Sequence, residues 1–227
     1  MRRQEAKAQN SAVNNKNSYF DERVREIMTN LQFMKMKNQQ TYKSLVITSS
    51  HKGEGKSFCA LHLALAYAKQ NKKVLLIDSD MHKPSLSKML NVQSVEGLST
   101  ILNSNDDPMI YIKKTKFPNL YILAAGIQPS NPLALLNSSR LQDLVVYYKE
   151  KFDMVLIDTP PVLLINDSRV VGNACDGVLL VVRSGITKSR DLEKAMSLLT
   201  LSESKVIGTI LNGKKIGKKE RLQYSYE

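Results

Sequence analysis

No stretch of this 227-residue sequence approaches the ~18 consecutive apolar residues that a bilayer-crossing helix requires. No membrane span is therefore expected. The opening Met1-Arg2-Arg3-Gln4-Glu5 has no apolar stretch behind it, which is not the pattern of a secretory signal, so the expected location is the cytoplasm. Cysteine is scarce: Cys59 and Cys175 are the only two. Neither has a second Cys or a His at ligand spacing, which argues against a zinc site and for two small reduced core residues. There is no internal repeat, and aromatic residues are not interleaved with basic ones in the manner of a single-strand binder. No specific nucleic-acid partner is expected.

What the chain does have is a hydrophobic fraction of 42%, enough for a sizeable core, and a length that fits one α/β domain with small appendages. Its net charge is +12, part of it in the cluster Lys214, Lys215, Lys218, Lys219 and Arg221. Such charge attracts nucleic acid, anionic lipid or acidic protein surfaces without choosing among them. Residues 1–17 are polar, rich in Asn and Gln, and lack periodicity. They are expected to be a mobile N-terminal segment, followed by a folded domain over 18–213 and a basic tail over 214–227.

From Ser18 the pattern changes. Phe20, Val24, Ile27, Leu31 and Met34 recur at helical spacing, after Ser18 or Asp21 as a cap. Packing on its own domain is the simpler use of this stripe, and a partner surface the sharper one. Short, continuously apolar strands then alternate with helices. The strands are read at Ser44–Thr48, Val74–Asp78, Leu120–Leu123, Met154–Asp158, Gly177–Val182 and Val206–Leu211, and the helices at Ser57–Gln70, Ser139–Lys149 and Lys188–Leu199. Strands of that kind are buried on both faces, so a mostly parallel central sheet with helices on both sides is expected. Its ligands would sit at the carboxyl ends of the strands.

The first strand runs into Thr48-Ser49-Ser50-His51-Lys52-Gly53-Glu54-Gly55-Lys56-Ser57. Gly53 and Gly55 allow the backbone to curl so that several N–H groups face one anion. The following helix adds its dipole, Lys56 can reach the outer phosphates, and Ser57 offers a hydroxyl to Mg²⁺. Ser50 stands where the strict phosphate-loop pattern has glycine, but the order of strand, glycines, Lys-Ser and helix supplies the confirming context. ATP with Mg²⁺ is the expected ligand. Asp158 ends an apolar strand before Thr159-Pro160-Pro161, a position from which a carboxylate can hold Mg²⁺ directly or through water. Asp78 and Asp80 end another strand, and their spacing puts both on one side of an extended segment. One can take a proton from an incoming hydroxyl while the other helps to hold the metal.

The loop at 48–57, the segment Leu76-Ile77-Asp78-Ser79-Asp80-Met81-His82-Lys83-Pro84 and Ile157-Asp158-Thr159-Pro160-Pro161 resemble the three Walker motifs of bacterial tyrosine kinases, the cytoplasmic kinases of capsule and exopolysaccharide operons. Gly126 with Asn131-Pro132-Leu133-Ala134-Leu135-Leu136, and Gly208-Thr209-Ile210-Leu211-Asn212, are similar to two further segments of that family. The resemblance covers about residues 18–213. It implies a P-loop fold like that of MinD and the partition ATPases, and an ATP·Mg²⁺-dependent autokinase acting on C-terminal tyrosines. Gly53, Glu54, Gly55, Lys56 and Ser57 would bind ATP, with Lys56 gripping phosphates and Asn212 near the adenine. Ser57, Asp80 and Asp158 would serve Mg²⁺. Asp78 would be the best candidate for activating the tyrosine hydroxyl, and Tyr224 and Tyr226 would be the acceptors.

The family's Glu-x-x-Arg-x-x-Arg helix for ring assembly is matched by Glu22 and Arg25, with Met28 at the third position. A homo-oligomer is expected, together with a membrane-anchored activator of the polysaccharide co-polymerase type that would hold the kinase at the inner face of the membrane. Two other readings compete. One is a positioning or partition ATPase that switches DNA or membrane binding, motivated by the +12 charge. Against it, the signature lysine of those proteins is replaced here by His51, and Lys52 is one position off. The other is a regulatory module that binds ATP without phosphorylating.

Overall fold

A computed structural model describes residues 20–34, 41–92 and 94–215. Tyr224, Tyr226, the basic residues beyond Lys215 and the N-terminal segment 1–17, with Ser18, lie outside the described residues. Helix α1 spans 20–33. It is followed by β1 (Ser44–Ser49), α2 (Lys56–Lys69), β2 (Val74–Asp78), α3 (Leu86–Leu90), α4 (Leu98–Leu102), a 3₁₀ turn (Pro108–Tyr111), β3 (Lys113–Lys114) and β4 (Leu120–Leu123). The second half runs α5 (Pro132–Leu136), α6 (Ser139–Lys151), β5 (Met154–Asp158), α7 (Asp167–Asn173), β6 (Gly177–Arg183), α8 (Ser189–Leu201) and β7 (Val206–Asn212).

The strands form one seven-stranded sheet in the order β3-β4-β2-β5-β1-β6-β7. Every pairing is parallel except that of the two-residue β3, which runs antiparallel to β4 at the edge. The apolar strands explain this arrangement, because alternate side chains supply two separate cores. Val46, Leu75, Ile77, Val155, Ile157 and Leu180 point to the face covered by α4 to α8. Leu45, Ile47, Leu76, Ile122, Leu156 and Val181 point to the face covered by α1, α2 and α3. A strand with apolar residues at every position is what burial on both faces requires.

Helix α1 packs on its own domain. Val24, Met28 and Leu31 are buried in the second core, while Phe20, Ile27 and Met34 lie partly buried at its margin. Its stripe is thus centred on Met28, at 1% exposure, a residue that the spacing of the other hydrophobics passes over. The ring of Phe20 meets Phe58 and His62 on α2, at centroid distances of 5.4 and 4.6 Å. Glu22 and Arg25 remain on the outer side, paired with each other at 3.2 Å.

Besides the two-residue β3, five short helical elements had no counterpart in the sequence pattern: α3, α4, the 3₁₀ turn, α5 and α7. Each is too brief for a 3.6-residue period to show. Tertiary contacts place them. The start of α4 docks on the chain beyond β4 through Leu98 N to Ala124 O (2.8 Å) and Ser99 N to Ala125 O (3.0 Å). The approach is so close that a Cβ on Gly97 would lie 2.1 Å from Ala124 O. This contact anchors the Gly126–Leu136 segment at the carboxyl end of β4.

Truncating Met28 to Ala should cost about 2–5 kcal/mol of unfolding free energy, the usual loss for a buried side chain of this size. Phe33→Ala, at a residue 81% exposed on the same helix, should stay within about 0.5 kcal/mol. Urea unfolding of both variants checks the contrast.

Candidate active site

β1 and α2 are joined by a tight turn in which Gly53 and Gly55 adopt φ of 80° and 96°, the left-handed region that glycine enters without steric cost. Gly55 is also the N-cap of α2, and no side chain caps that end. The first N–H groups of a helix have no partner within it, so this end of α2 is open to an anion. The loop sits tightly against β7: a Cβ on Gly55 would lie 2.1 Å from Asn212 Nδ2. Glu54, also assigned to the nucleotide from sequence, turns its side chain into the protein at 1% exposure. There it accepts from His51 N at 3.0 Å and from the Thr187 hydroxyl. Its side chain therefore shapes the loop.

β2 and β5 are neighbours, and their last residues, Asp78 and Asp158, are register partners. β5 also pairs with β1, which brings both acids beside the loop. Lys56 Nζ lies 3.2 Å from Asp80 Oδ2 and 3.4 Å from Asp158 Oδ2. The Ser57 hydroxyl donates to that same Asp158 oxygen. Burial by itself would lower the Lys56 ammonium, but the carboxylates of Asp158 and Asp80 outweigh it and hold the group above its ordinary value. For Asp158 burial wins: the carboxyl is pushed from 3.8 up to about 7, against the pull of Lys56 and with the help of Asp78.

Asp78 differs from its neighbours. Its Oδ2 accepts from Ser85 N and Leu86 N at 2.9 Å each, and its Oδ1 from Asp80 N at 3.2 Å. It is fully enclosed, and burial raises its carboxyl despite those hydrogen bonds. Asp80 accepts from Lys83 N at 3.0 Å and keeps slight exposure, at 5%. Sequence reasoning singled out neither Asp167, whose Oδ2 lies 3.0 Å from His82 Nε2, nor Arg183 and Thr187, which touch the loop. The usable signal for the latter two was their place at and just beyond the end of a buried strand on the ligand-binding edge of the sheet.

The residues present fit a Mg²⁺–nucleotide. Asp158 Oδ1 is buried with no hydrogen-bond partner, and an orphaned carboxylate oxygen calls for a metal, a water or a donor. Among the described residues no cluster of three or more His, Cys, Asp or Glu could hold a metal alone. Mg²⁺ takes one or two carboxylates and completes its shell with phosphate and water, and Asp80 and Asp158 stand together beside Lys56. Beside Asn212, a cavity of about 570 Å³ is walled by Phe20, Phe58, His62 and Ile210.

The family described as AAA domain matches residues 42–203. Tyrosine-protein kinase YwqD of Bacillus subtilis (strain 168) is 37% identical over 213 residues, 94% of this chain and 89% of that protein. The chain belongs to the bacterial tyrosine-protein kinase family. Another family member, tyrosine-protein kinase wzc of Salmonella typhi, is 32% identical over 219 residues, which cover 95% of this chain and 30% of that protein. The kinase domain of Escherichia coli tyrosine kinase ETK superposes with a TM-score of 0.80 at 31% identity, over 86% of this chain and 76% of that one. The expected relation to MinD is also seen. The septum site-determining protein MinD of Pyrococcus horikoshii OT3, complexed with Mg-ADP, superposes with a TM-score of 0.65 at 25% identity, over 80% and 76% of the two chains.

The raised Asp158 carboxyl has a consequence for this kinase fold. Between its ordinary 3.8 and about 7, the folded protein holds a proton that the unfolded chain has released. The stabilising contribution is therefore full below the lower value and is lost as pH rises through the upper one. Asp158→Asn should melt higher than wild type near pH ~8, with the gap closing toward pH ~5. Nucleotide-free thermal melts across that range test it, and a variant less stable than wild type at the upper end would refute it.

Proposed function

We propose that the protein is an ATP- and Mg²⁺-dependent autokinase that phosphorylates its own Tyr224 and Tyr226 and in this way regulates capsule or exopolysaccharide synthesis or export. The observation that carries this reading is the Lys56 ammonium set between the Asp80 and Asp158 carboxylates, at a helix N-terminus that no side chain caps.

Bound Mg·ATP would supply the electrophilic phosphorus and the metal charge that offsets developing negative charge. Lys56 would move its ammonium onto the outer phosphates. Ser57 and Asp158 would hold the metal, with the unpartnered Asp158 Oδ1 as the open ligand position. Gly53, Glu54 and Gly55 would contribute backbone N–H groups, and Asn212 would stand by the adenine. A tyrosine hydroxyl, with a pKa of ~10, must lose its proton as it attacks. Asp78 and Asp80 are the candidate acceptors. The enclosure of Asp78 favours Asp80 for the proton and leaves Asp78 to hold the 79–86 segment that presents it.

The partner would be a membrane-anchored activator. In wzc the matching region is 30% of the protein, and the activator would hold the kinase at the membrane. The half-buried Glu22 and the exposed Arg25 would meet another copy, whereas Met28 is committed to the core. The alternative of a positioning ATPase draws on the likeness to MinD. At its signature-lysine position, however, His51 lies 3.2 Å from Asp191 and ties the loop to α8.

Incubation with Mg·ATP and the activator's cytoplasmic tail, followed by mass spectrometry, should place phosphate on Tyr224 or Tyr226. Lys56→Met should cut the yield by about 100-fold or more. Nucleotide binding without any phosphotyrosine, or wild-type labelling in the Lys56 variant, would sink the assignment.

A further inference from the structure

The two glycines that let the phosphate loop curl also make its peptides easy to flip, since no Cβ opposes rotation about them. A flipped peptide would aim its carbonyl at a phosphate. Across a trans peptide the C=O and the following N–H point in opposite directions. A donor that holds a carbonyl outward therefore holds the next N–H inward.

Such donors are present at the two peptides beside these glycines. Arg183 Nη1 donates to Gly53 O, and Asn212 Nδ2 donates to Glu54 O at 2.9 Å. Thr187 Oγ1 donates to the buried Glu54 carboxylate. The three side chains share one rigid base. Arg183 and Asn212 are register partners at the ends of β6 and β7. Thr187 Oγ1 accepts from Arg183 N at 2.8 Å, and Ser184 N donates to Asn212 O at 2.8 Å.

We propose that Arg183 and Thr187, with Asn212, are positioning residues that lock the 53–54 and 54–55 peptides so that the N–H groups of Glu54 and Gly55 face the nucleotide's phosphates. This rests on the reading of the loop as an ATP site and adds what sets its affinity. The β6–α8 turn acts on phosphate binding through the outer surface of the loop rather than through the metal ligands.

The test is the affinity for Mg·ADP, measured by calorimetry on the full chain, with nucleotide-free melting temperatures as the control. Thr187→Val keeps the shape and removes the hydroxyl, which should weaken binding by about tenfold. Thr187→Ser restores the hydroxyl and should return affinity to within about twofold. Arg183→Ala, at an exposed residue with little bearing on folding, should weaken binding by about three- to tenfold. In phosphorylation assays both losses should raise the KM for ATP and leave kcat at saturating ATP nearly unchanged. Wild-type affinity in Thr187→Val and Arg183→Ala, or a Ser variant as weak as Val, would overturn the proposal. Failure of the wild-type chain to bind Mg·ADP would instead remove the underlying reading of the site.

Discussion

Three carboxylates converge on the ends of two adjacent parallel strands, and one ammonium stands between two of them. Asp78 and Asp158 are register partners, Asp80 follows two residues on, and Lys56 bridges Asp80 and Asp158. Burying that much negative charge is unfavourable unless it is paired and hydrogen-bonded. Each acid resolves this differently. Asp78 is saturated by backbone N–H groups, Asp80 shares its charge between Lys56 and Lys83 N, and Asp158 leans on Lys56 and Ser57 while one of its oxygens has no partner. The residual strain sits on Asp158, where a divalent cation would relieve it. Stability is held below its maximum at the place where a kinase needs a metal.

The remainder of the domain keeps that cluster in register. Two apolar cores, one on each face of the sheet, hold the strands so that their carboxyl ends finish together. The tips are then stitched laterally: Ser79 Oγ donates to Asp158 O at 2.9 Å, and Thr48 Oγ1 to Pro160 O at 2.9 Å. Helix α1 lies against α2, the helix that begins with Lys56 and Ser57. Its apolar side is consumed by that packing, and its charged side carries Glu22 and Arg25.

Much of this was legible in the sequence. The six long strands were visible because continuous apolar runs of five or so residues have few other uses in a chain with this alternation. The phosphate loop was visible because Gly53, Gly55, Lys56 and Ser57 perform separate physical tasks in a fixed order. By sequence Met28 is a departure from a surface motif, while the structure uses it as a core residue. The pattern alone could not show which side of the helix faces inward at that turn. The short helices α3, α4, α5 and α7 were not legible either, since two turns or fewer carry no period.

The sequence by itself determined that the chain makes a parallel sheet, that one turn of it can cradle phosphate, and that aspartates end two of its strands. Local chemistry suffices for each of these. Only the tertiary structure decided which acids meet which base. Lys56 and Asp158 are 102 residues apart, and they touch because the crossovers set β5 between β1 and β2. The burial of Glu54, the enclosure of Asp78 and the hold of Arg183 and Thr187 on the loop follow from the same strand order, which depends on how two cores pack at once and is not written in any single segment.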